Sequence, residues 1–371
     1  QKLAKKLDEW SPGGMGHTKT IFSSSGAEAN ESAIKLSYQY HQERGNVNKT
    51  KIVGRWQSYH GNTVSTLSIG GRSSWRSKFN SLLHDSLHIS PPYCYRCSST
   101  DSHSSCAENF ANELKKIIQR EGAENISAFI AESIIGTSMS AVVPPKGYYE
   151  IIRNICDEND ILFIADEVMS GMGRTGKKWG IDHWNVSPDI ITTSKGIGAG
   201  YSPISAAIFS EKVWGAISSG SGSTTHSSTY GGNPLSCAVG CAVIDYIEKN
   251  DLISNAEIMG EKLISKLNEE LSDIPYVGDV RGKGLLIGIE IVSDKVSKAI
   301  FDPKLDLAHK IEAEARKNGL IILSGVPGLV DGVGGDHLEL CPPYIINDDH
   351  VEFIVSNLKK SILETISSIN L

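Results

Sequence analysis

The chain has 371 residues, of which 40% are hydrophobic, and a formal net charge of −7. That is enough apolar material for a large core and about two domains, and the acidic balance argues against a nucleic-acid surface, which shows a basic patch. No apolar run reaches the ~18 residues of a membrane span, and the seven scattered cysteines predict a reduced, cytoplasmic protein. The sequence begins at Gln1, so the native start and any targeting peptide are expected to lie outside it, which leaves organelle targeting open.

Thr20-Ile-Phe-Ser-Ser-Ser25 predicts a strand running into a turn at Gly26 and Ala27. Ala29, Ala33, Leu36 and Tyr40 then fall on one face of a helix. A glycine turn that opens a helix presents free N–H groups and the positive end of the dipole, the makings of a phosphate site. Ser and Gly also serve as plain caps there. A second strand over 51–57 leads to Tyr59-His60-Gly61-Asn62. An aromatic at a strand end can stack on a flat cofactor, and a glycine permits close backbone approach; a core tyrosine is the simpler reading of Tyr59. Cys94-x-x-Cys97 with Cys106 and His103 invites zinc. The spacing matches no standard finger, so a loop with incidental thiols and no metal is expected.

Phe110, Leu114 and Ile117 predict a helix, followed by a strand over Ile126–Ser133 that carries Glu132, and a helix with Tyr148, Ile151, Ile152 and Ile155. Strand and helix alternate, which predicts an α/β fold with a mostly parallel central sheet flanked by helices. Two short apolar runs, Ile161–Val168 and Ile190–Gly196, end in the charged residues Asp166 and Lys195. Such runs fit buried parallel strands, whose carboxyl ends form the ligand crevice of open α/β sheets. A buried lysine near a buried carboxylate, beside the glycine-rich stretch Gly171–Gly176, points to Schiff-base chemistry on a cofactor. A structural ion pair is the plain alternative.

A further strand is predicted over Ile204–Phe209, then a Ser/Gly/Thr loop over Ser218–Ser228 that gives a flexible lead into Thr229-Tyr-Gly-Gly-Asn-Pro234. The helix after Pro234 is expected to bury Leu235, Val239, Ala242 and Tyr246, and the next one Leu263, Leu267 and Leu271. Beyond them come an apolar strand after Arg281-Gly-Lys-Gly284, a helix with Ala308, Ile311 and Ala315, a strand over Leu320–Leu323, and a last helix with Val351, Ile354, Leu358 and Ile362. The composition divides the chain into a large domain, 1–250, and a smaller α+β domain, 251–371.

With those residues in view, the sequence resembles the class III pyridoxal-phosphate-dependent aminotransferases of fold type I. The resemblance rests on Ser25-Gly-Ala-Glu-Ala-Asn30-Glu, Tyr59-His-Gly, Ala165-Asp-Glu-Val168, Ser194-Lys-Gly196 and Thr229-Tyr-Gly-Gly-Asn-Pro234, in order and across nearly the whole chain. It implies pyridoxal 5'-phosphate as cofactor, Lys195 as the Schiff-base lysine and proton carrier, and Asp166 as the partner of the pyridinium nitrogen. It also implies Val168 on one face of the ring with Tyr59 and His60 on the other, and Ser25, Gly26 and Ala27 around the phosphate. Thr229 would reach that phosphate from the partner subunit, so a homodimer with shared sites is implied. Relatives usually carry a further N-terminal segment, so this chain is expected to be short of one.

Three positions depart from the family pattern. Ile135 stands where many relatives have a glutamine, Thr137-Ser-Met139 where some have a gating glutamate, and Leu338-Glu-Leu-Cys-Pro-Pro343 lacks the arginine that clamps α-carboxylates. The resemblance implies a transaminase that moves an amino group from an amine or ω-amino acid to a 2-oxo acid. The same fold also supports a 2,1-aminomutase, a dialkylglycine-decarboxylase-like enzyme or a racemase. A non-catalytic homologue is set against by the intact Lys195 and Asp166.

Overall fold

The computed structural model describes residues 1–97, 103–325 and 328–369. Its main sheet holds β1 (Lys19–Ser23), β2 (Lys51–Arg55), β3 (Leu87–Ile89), β4 (Ile126–Glu132), β5 (Leu162–Asp166), β6 (Ile190–Thr193) and β7 (Ser205–Phe209), in the order β1-β7-β6-β5-β4-β2-β3. The strands from β3 to β6 pair parallel, while β7 is antiparallel to both β6 and β1. Strands β4 to β7 are buried along their whole length, as a sheet covered on both faces requires.

Alternate residues of these strands feed two cores. Phe129, Phe163, Ile191 and Ile208 pack on one face, with helices α1 (Lys2–Trp10), α5 (His103–Glu121), α6 (Tyr148–Glu158) and α8 (Pro234–Lys249). Ile130, Ile164, Ile190 and Ala207 pack on the other, with α2 (Gly26–Glu43) and α7 (Glu211–Ser219). Short helices α3 (Val64–Ile69) and α4 (Ser73–Arg76) follow β2. A second, antiparallel sheet, β10 (Leu323–Ser324), β11 (Asp336–Leu340), β9 (Leu286–Ile291) and β8 (Val277–Lys283), packs with α9 (Leu252–Leu271), α10 (Leu307–Lys317) and α11 (Asp348–Ser368) around a core of its own. The architecture is therefore the expected α/β fold with a smaller α+β part.

Two local expectations need correction. Helix α8 buries Ser236, Gly240, Cys241, Ile244 and Ile247, while Leu235 and Tyr246 are 73% and 58% exposed. Both of its faces carry apolar residues, and the buried one is chosen by α1: a Cβ on Gly240 would sit 2.8 Å from Leu3. Leu320–Ile322 lies outside any strand, because β10 begins only at Leu323. The apolar strand expected after the glycines is β9, and it pairs with β8 as a two-stranded hairpin.

The two sheets meet at the loop around Ser140. Ser140 itself adopts φ +44°, and its carbonyl accepts from Arg281 Nε at 2.9 Å while Met139's accepts from Arg281 Nη2 at 2.7 Å. Its hydroxyl bonds His337 Nδ1 of β11 at 2.6 Å. Gly288 of β9 lies so close that a Cβ there would collide with the Ser140 carbonyl oxygen. Gly288→Ala is predicted to lower stability by about 1–3 kcal/mol, the cost of overpacking a rigid contact. A urea melt monitored by tryptophan fluorescence measures it, and an unchanged midpoint contradicts it.

Candidate active site

The carboxyl ends of β4, β5 and β6 lie side by side, with Glu132 in register with Asp166 and Asp166 with Thr192. Asp166 is 3% exposed. Its Oδ2 accepts from His60 Nδ1 and from Asn30 Nδ2, both at 2.8 Å, and its Oδ1 accepts from the Val168 N–H at 3.0 Å. Asn30 also donates to the His60 carbonyl at 2.7 Å and accepts from the Thr192 hydroxyl at 2.7 Å, so one amide ties helix α2, the His60 loop and β6 together. No lysine or arginine pairs with Asp166 among the described residues; its sole ion-pair partner there is His60. A buried carboxylate without a full countercharge is costly, and it fits a cationic ring N–H supplied from outside the chain.

The Tyr59-His60-Gly61 segment is positioned by its neighbours. Gly61 has φ +142°, and a Cβ there would come 2.6 Å from the Ala27 side chain, so glycine permits the segment to touch the start of α2. Glu132 receives the Tyr59 N–H at 3.0 Å and the Gly136 N–H at 2.8 Å. Burial, with Asp166 nearby, pushes the Glu132 carboxyl above the usual range. The Tyr59 ring stands edge-on to Trp75 at 4.8 Å. His60 is buried and spent on Asp166, and its Nε2 has no hydrogen-bond partner.

Next to Asp166, Glu167 holds the turn that follows β5. It accepts from the Ser133 and Ser170 hydroxyls at 2.5 and 2.6 Å and from the N–H groups of Gly180 and Ile181 at 2.8 and 2.7 Å. Burial pushes its carboxyl up to about 7, against the pull of those donors. Val168 comes within 3.1 Å of where a Gly26 Cβ would lie, with Ser194 at 3.6 Å, which brings α2, the Val168 turn and the Lys195 turn into one place.

Ser25 caps α2 in a capping box: its hydroxyl accepts from the Glu28 N–H at 3.3 Å, and Glu28 accepts the N–H groups of Ser24 and Ser25 at 2.8 and 2.9 Å. The helix offers no carbonyl to the N–H groups of Gly26 and Ala27, which leaves them for an anion at the positive end of the dipole. Lys195 stands in a left-handed turn, φ +40°, a conformation uncommon for a residue other than glycine, asparagine or aspartate. It was expected to be buried; it is instead exposed in an open cleft of about 1270 Å³ whose lining includes Ser25, Gly26, Arg174, Ser194 and Tyr246. Its Nζ rests against the Met169 sulfur.

Thr229 is exposed, and the segment before it is not a free lead. Ser221 bonds Glu43, Gln39 bonds the Ser223 carbonyl at 2.8 Å, and His226 Nε2 meets the Ser32 hydroxyl at 2.9 Å, so the loop is laid back along α2. The thiols of Cys94 and Cys97 both come within reach of Cys106. The His103 side chain is outside the described residues, and among those no group of three or more metal-ligating side chains forms a site. Ile135 is fully buried against Met139 and Val142. Asn30, Glu132 and Glu167, which hold the site together, had no signal in the sequence beyond their places in the motifs and at the strand ends.

The chain matches the family described as aminotransferase class-III over residues 1–362. It is 39% identical over 362 residues to YodT of Bacillus subtilis strain 168, described as an uncharacterized aminotransferase, covering 98% of this chain and 81% of that protein. Among solved structures it is similar to an (S)-enantioselective omega-transaminase from Thermomicrobium roseum, with a TM-score of 0.91, 34% identity and coverage of 98% of this chain and 79% of that one. It is also similar to the omega-transaminase of Pseudomonas jessenii in complex with PMP, with a TM-score of 0.91, 34% identity and coverage of 100% and 80%. The chain belongs to the class III aminotransferases, pyridoxal-phosphate-dependent transaminases with the type I fold.

Proposed function

We propose that this transaminase takes the amino group of an amine or ω-amino acid and passes it to a 2-oxo acid, with Lys195 and Asp166 as its catalytic residues. The observation that carries the reading is Asp166: a buried carboxylate with no lysine or arginine partner among the described residues, one strand away from the lysine-bearing turn. When bound, pyridoxal phosphate supplies an electron sink. Lys195 Nζ would hold the cofactor and would then carry the proton between the donor carbon and the cofactor carbon, the work of a positioned general base. Asp166 keeps the ring nitrogen protonated, and His60 and Asn30 act through it by fixing its oxygens. Val168 and Tyr59 would flank the ring. Gly26 and Ala27 give N–H groups to the phosphate, with Ser25 ordering the helix start that presents them.

The phosphate carries nearly two negative charges, more than one helix end satisfies, and Thr229 of the partner subunit adds a hydroxyl to it. A homodimer is supported by exposed apolar side chains: Tyr201 and Tyr246, which line the cleft, are 85% and 58% exposed, and Tyr230 and Leu235 are 72% and 73% exposed. Surface of that kind next to a site calls for a covering partner. Residues 1–250 form the cofactor-binding domain in this reading and 251–371 the smaller one. The cytoplasm is the compartment that suits seven free cysteines.

Borohydride reduction of the holoenzyme followed by peptide mapping is predicted to place the cofactor on Lys195, and Lys195→Ala to lose ~10²–10⁴-fold or more in turnover. An adduct on another lysine contradicts the assignment. Sedimentation is predicted to give a dimer, and the pair Leu235→Asp and Tyr246→Asp to give monomers whose activity falls with the dimer fraction. A fully active wild-type monomer rules out shared sites.

A further inference from the structure

Two arginines are buried among the described residues, Arg55 and Arg72, the second at 7% exposure. Arg55 spends Nη2 on the Glu132 carbonyl and Nη1 on the Tyr149 hydroxyl. Arg72 has no such outlet. Its guanidinium lies over the Trp75 ring, 4.3 Å from the ring centre, and closes no ion pair among the described residues, and its Nη2 is buried without a hydrogen-bond partner.

The backbone fixes where that guanidinium sits. Gly71 runs against the segment that leads to Tyr59: its N–H donates to the Ser58 carbonyl at 3.1 Å, and its carbonyl accepts from the Gln57 N–H at 3.1 Å. A Cβ on Gly71 would collide with Trp56 Cα, so glycine permits the contact. Arg72 therefore leaves the chain beside Ser58, the residue before Tyr59. The rings agree with the backbone, because Trp75, which carries the guanidinium on its face, meets the Tyr59 ring edge-on at 4.8 Å. From the small-sheet side the loop at Gly332 closes in, and a Cβ there would sit 2.7 Å from the Ser73 hydroxyl oxygen.

The carboxylates around Arg72 do not neutralise it by contact. Glu132 gives its oxygens to the Tyr59 and Gly136 N–H groups. Glu339 attracts the guanidinium, yet both Glu339 oxygens lack a hydrogen-bond partner, so the two do not bond. Neighbouring arginines are committed: Arg174 to the carbonyls of Leu285 and Pro342 at 3.2 and 2.6 Å, and Arg76 to those of Leu67 and Gly70 at 3.0 and 2.7 Å. Burial weighs against the Arg72 charge, but a guanidinium keeps its proton. A buried cation without acceptors is costly, and its complement is an anion that arrives from outside the chain. A guanidinium stacked on an indole keeps its N–H edge free, and that planar fork matches the two oxygens of a carboxylate.

We propose that Arg72 is a specificity residue that receives the carboxylate at the far end of the amino donor, so that the preferred donors are ω-amino acids rather than plain amines. This rests on the transaminase reading above, whose two donor classes it separates. The reacting amine is held at Lys195, and the carboxylate lies past Tyr59, beside Trp75.

The test is the amino-donor half-reaction of the holoenzyme, followed by absorbance. Each ω-amino acid from 3-aminopropanoate to 6-aminohexanoate is set against the alkylamine in which a methyl group replaces the carboxylate. At the chain length that spans the two groups, the wild type is expected to favour the amino acid in kcat/KM by about 10- to 100-fold. Arg72→Gln, and Arg72→Met, which keeps an apolar cover on Trp75, should bring that ratio close to one, while Arg72→Lys should keep part of the preference. Calorimetry gives a readout without turnover: the unsubstituted alkanoate of that length, which has no amino group to transfer, should bind the wild type at least about tenfold more tightly than it binds Arg72→Met. A wild type with no preference at any chain length overturns the proposal. So does a preference that Arg72→Gln and Arg72→Met leave unchanged, the outcome expected of a guanidinium that serves only to balance Glu339. Should one of the two variants fail to fold, the other decides. A holoenzyme that converts neither kind of donor, nor any other amino donor, refutes the transaminase reading itself, a different outcome from conversion without preference.

Discussion

The structure depends on one buried charge. Asp166 sits at the end of a parallel strand at 3% exposure, and the protein gives it three hydrogen bonds but no lysine or arginine among the described residues. Isolated carboxylates in such places normally recruit a cation or take up a proton. Here the neighbours are chosen to orient the carboxylate rather than to neutralise it. Asn30 divides its amide between Asp166, the His60 carbonyl and Thr192, so moving any of the three elements disturbs the other two.

The rest of the site follows from holding that carboxylate in place. Gly61 lets the His60 segment lie on Ala27 at the head of α2, which is also where the N–H groups of Gly26 and Ala27 are unclaimed by the helix. Glu132, one strand over, spends its oxygens on the Tyr59 and Gly136 N–H groups, and Glu167 secures the turn on the other side. The small sheet closes on this frame through Arg281, His337 and the tight contact at Gly288.

Much of this was legible in the sequence because strands buried on both faces read as unbroken apolar runs, so the first charged residue after each run marks its carboxyl end. That logic located Asp166 and Lys195, and the helical periodicities of α2, α9, α10 and α11 were read on the correct faces. It failed where a choice between faces or partners is made by tertiary contact. Helix α8 is apolar around much of its circumference, and the docking of α1 decides that Leu235 and Tyr246 stay outside. The loop over 221–228 reads as flexible by composition, yet its polar side chains find partners along α2. His60 and Asn30 are ordinary polar residues until the fold sets them against Asp166, across more than 100 positions of sequence. Lys195 reads as a buried lysine, whereas the open cleft beside α8 leaves it exposed.

The central claim is that Asp166 is kept ionised in order to hold a proton on the cofactor ring. Nitrogen NMR of the holoenzyme, with pyridoxal phosphate labelled at the ring nitrogen, reads that proton directly. The account predicts a protonated nitrogen in the wild type throughout the pH range in which the enzyme stays folded, and a neutral one in Asp166→Asn with the cofactor still bound. A neutral ring nitrogen in the wild type, or a protonated one in Asp166→Asn, would contradict it.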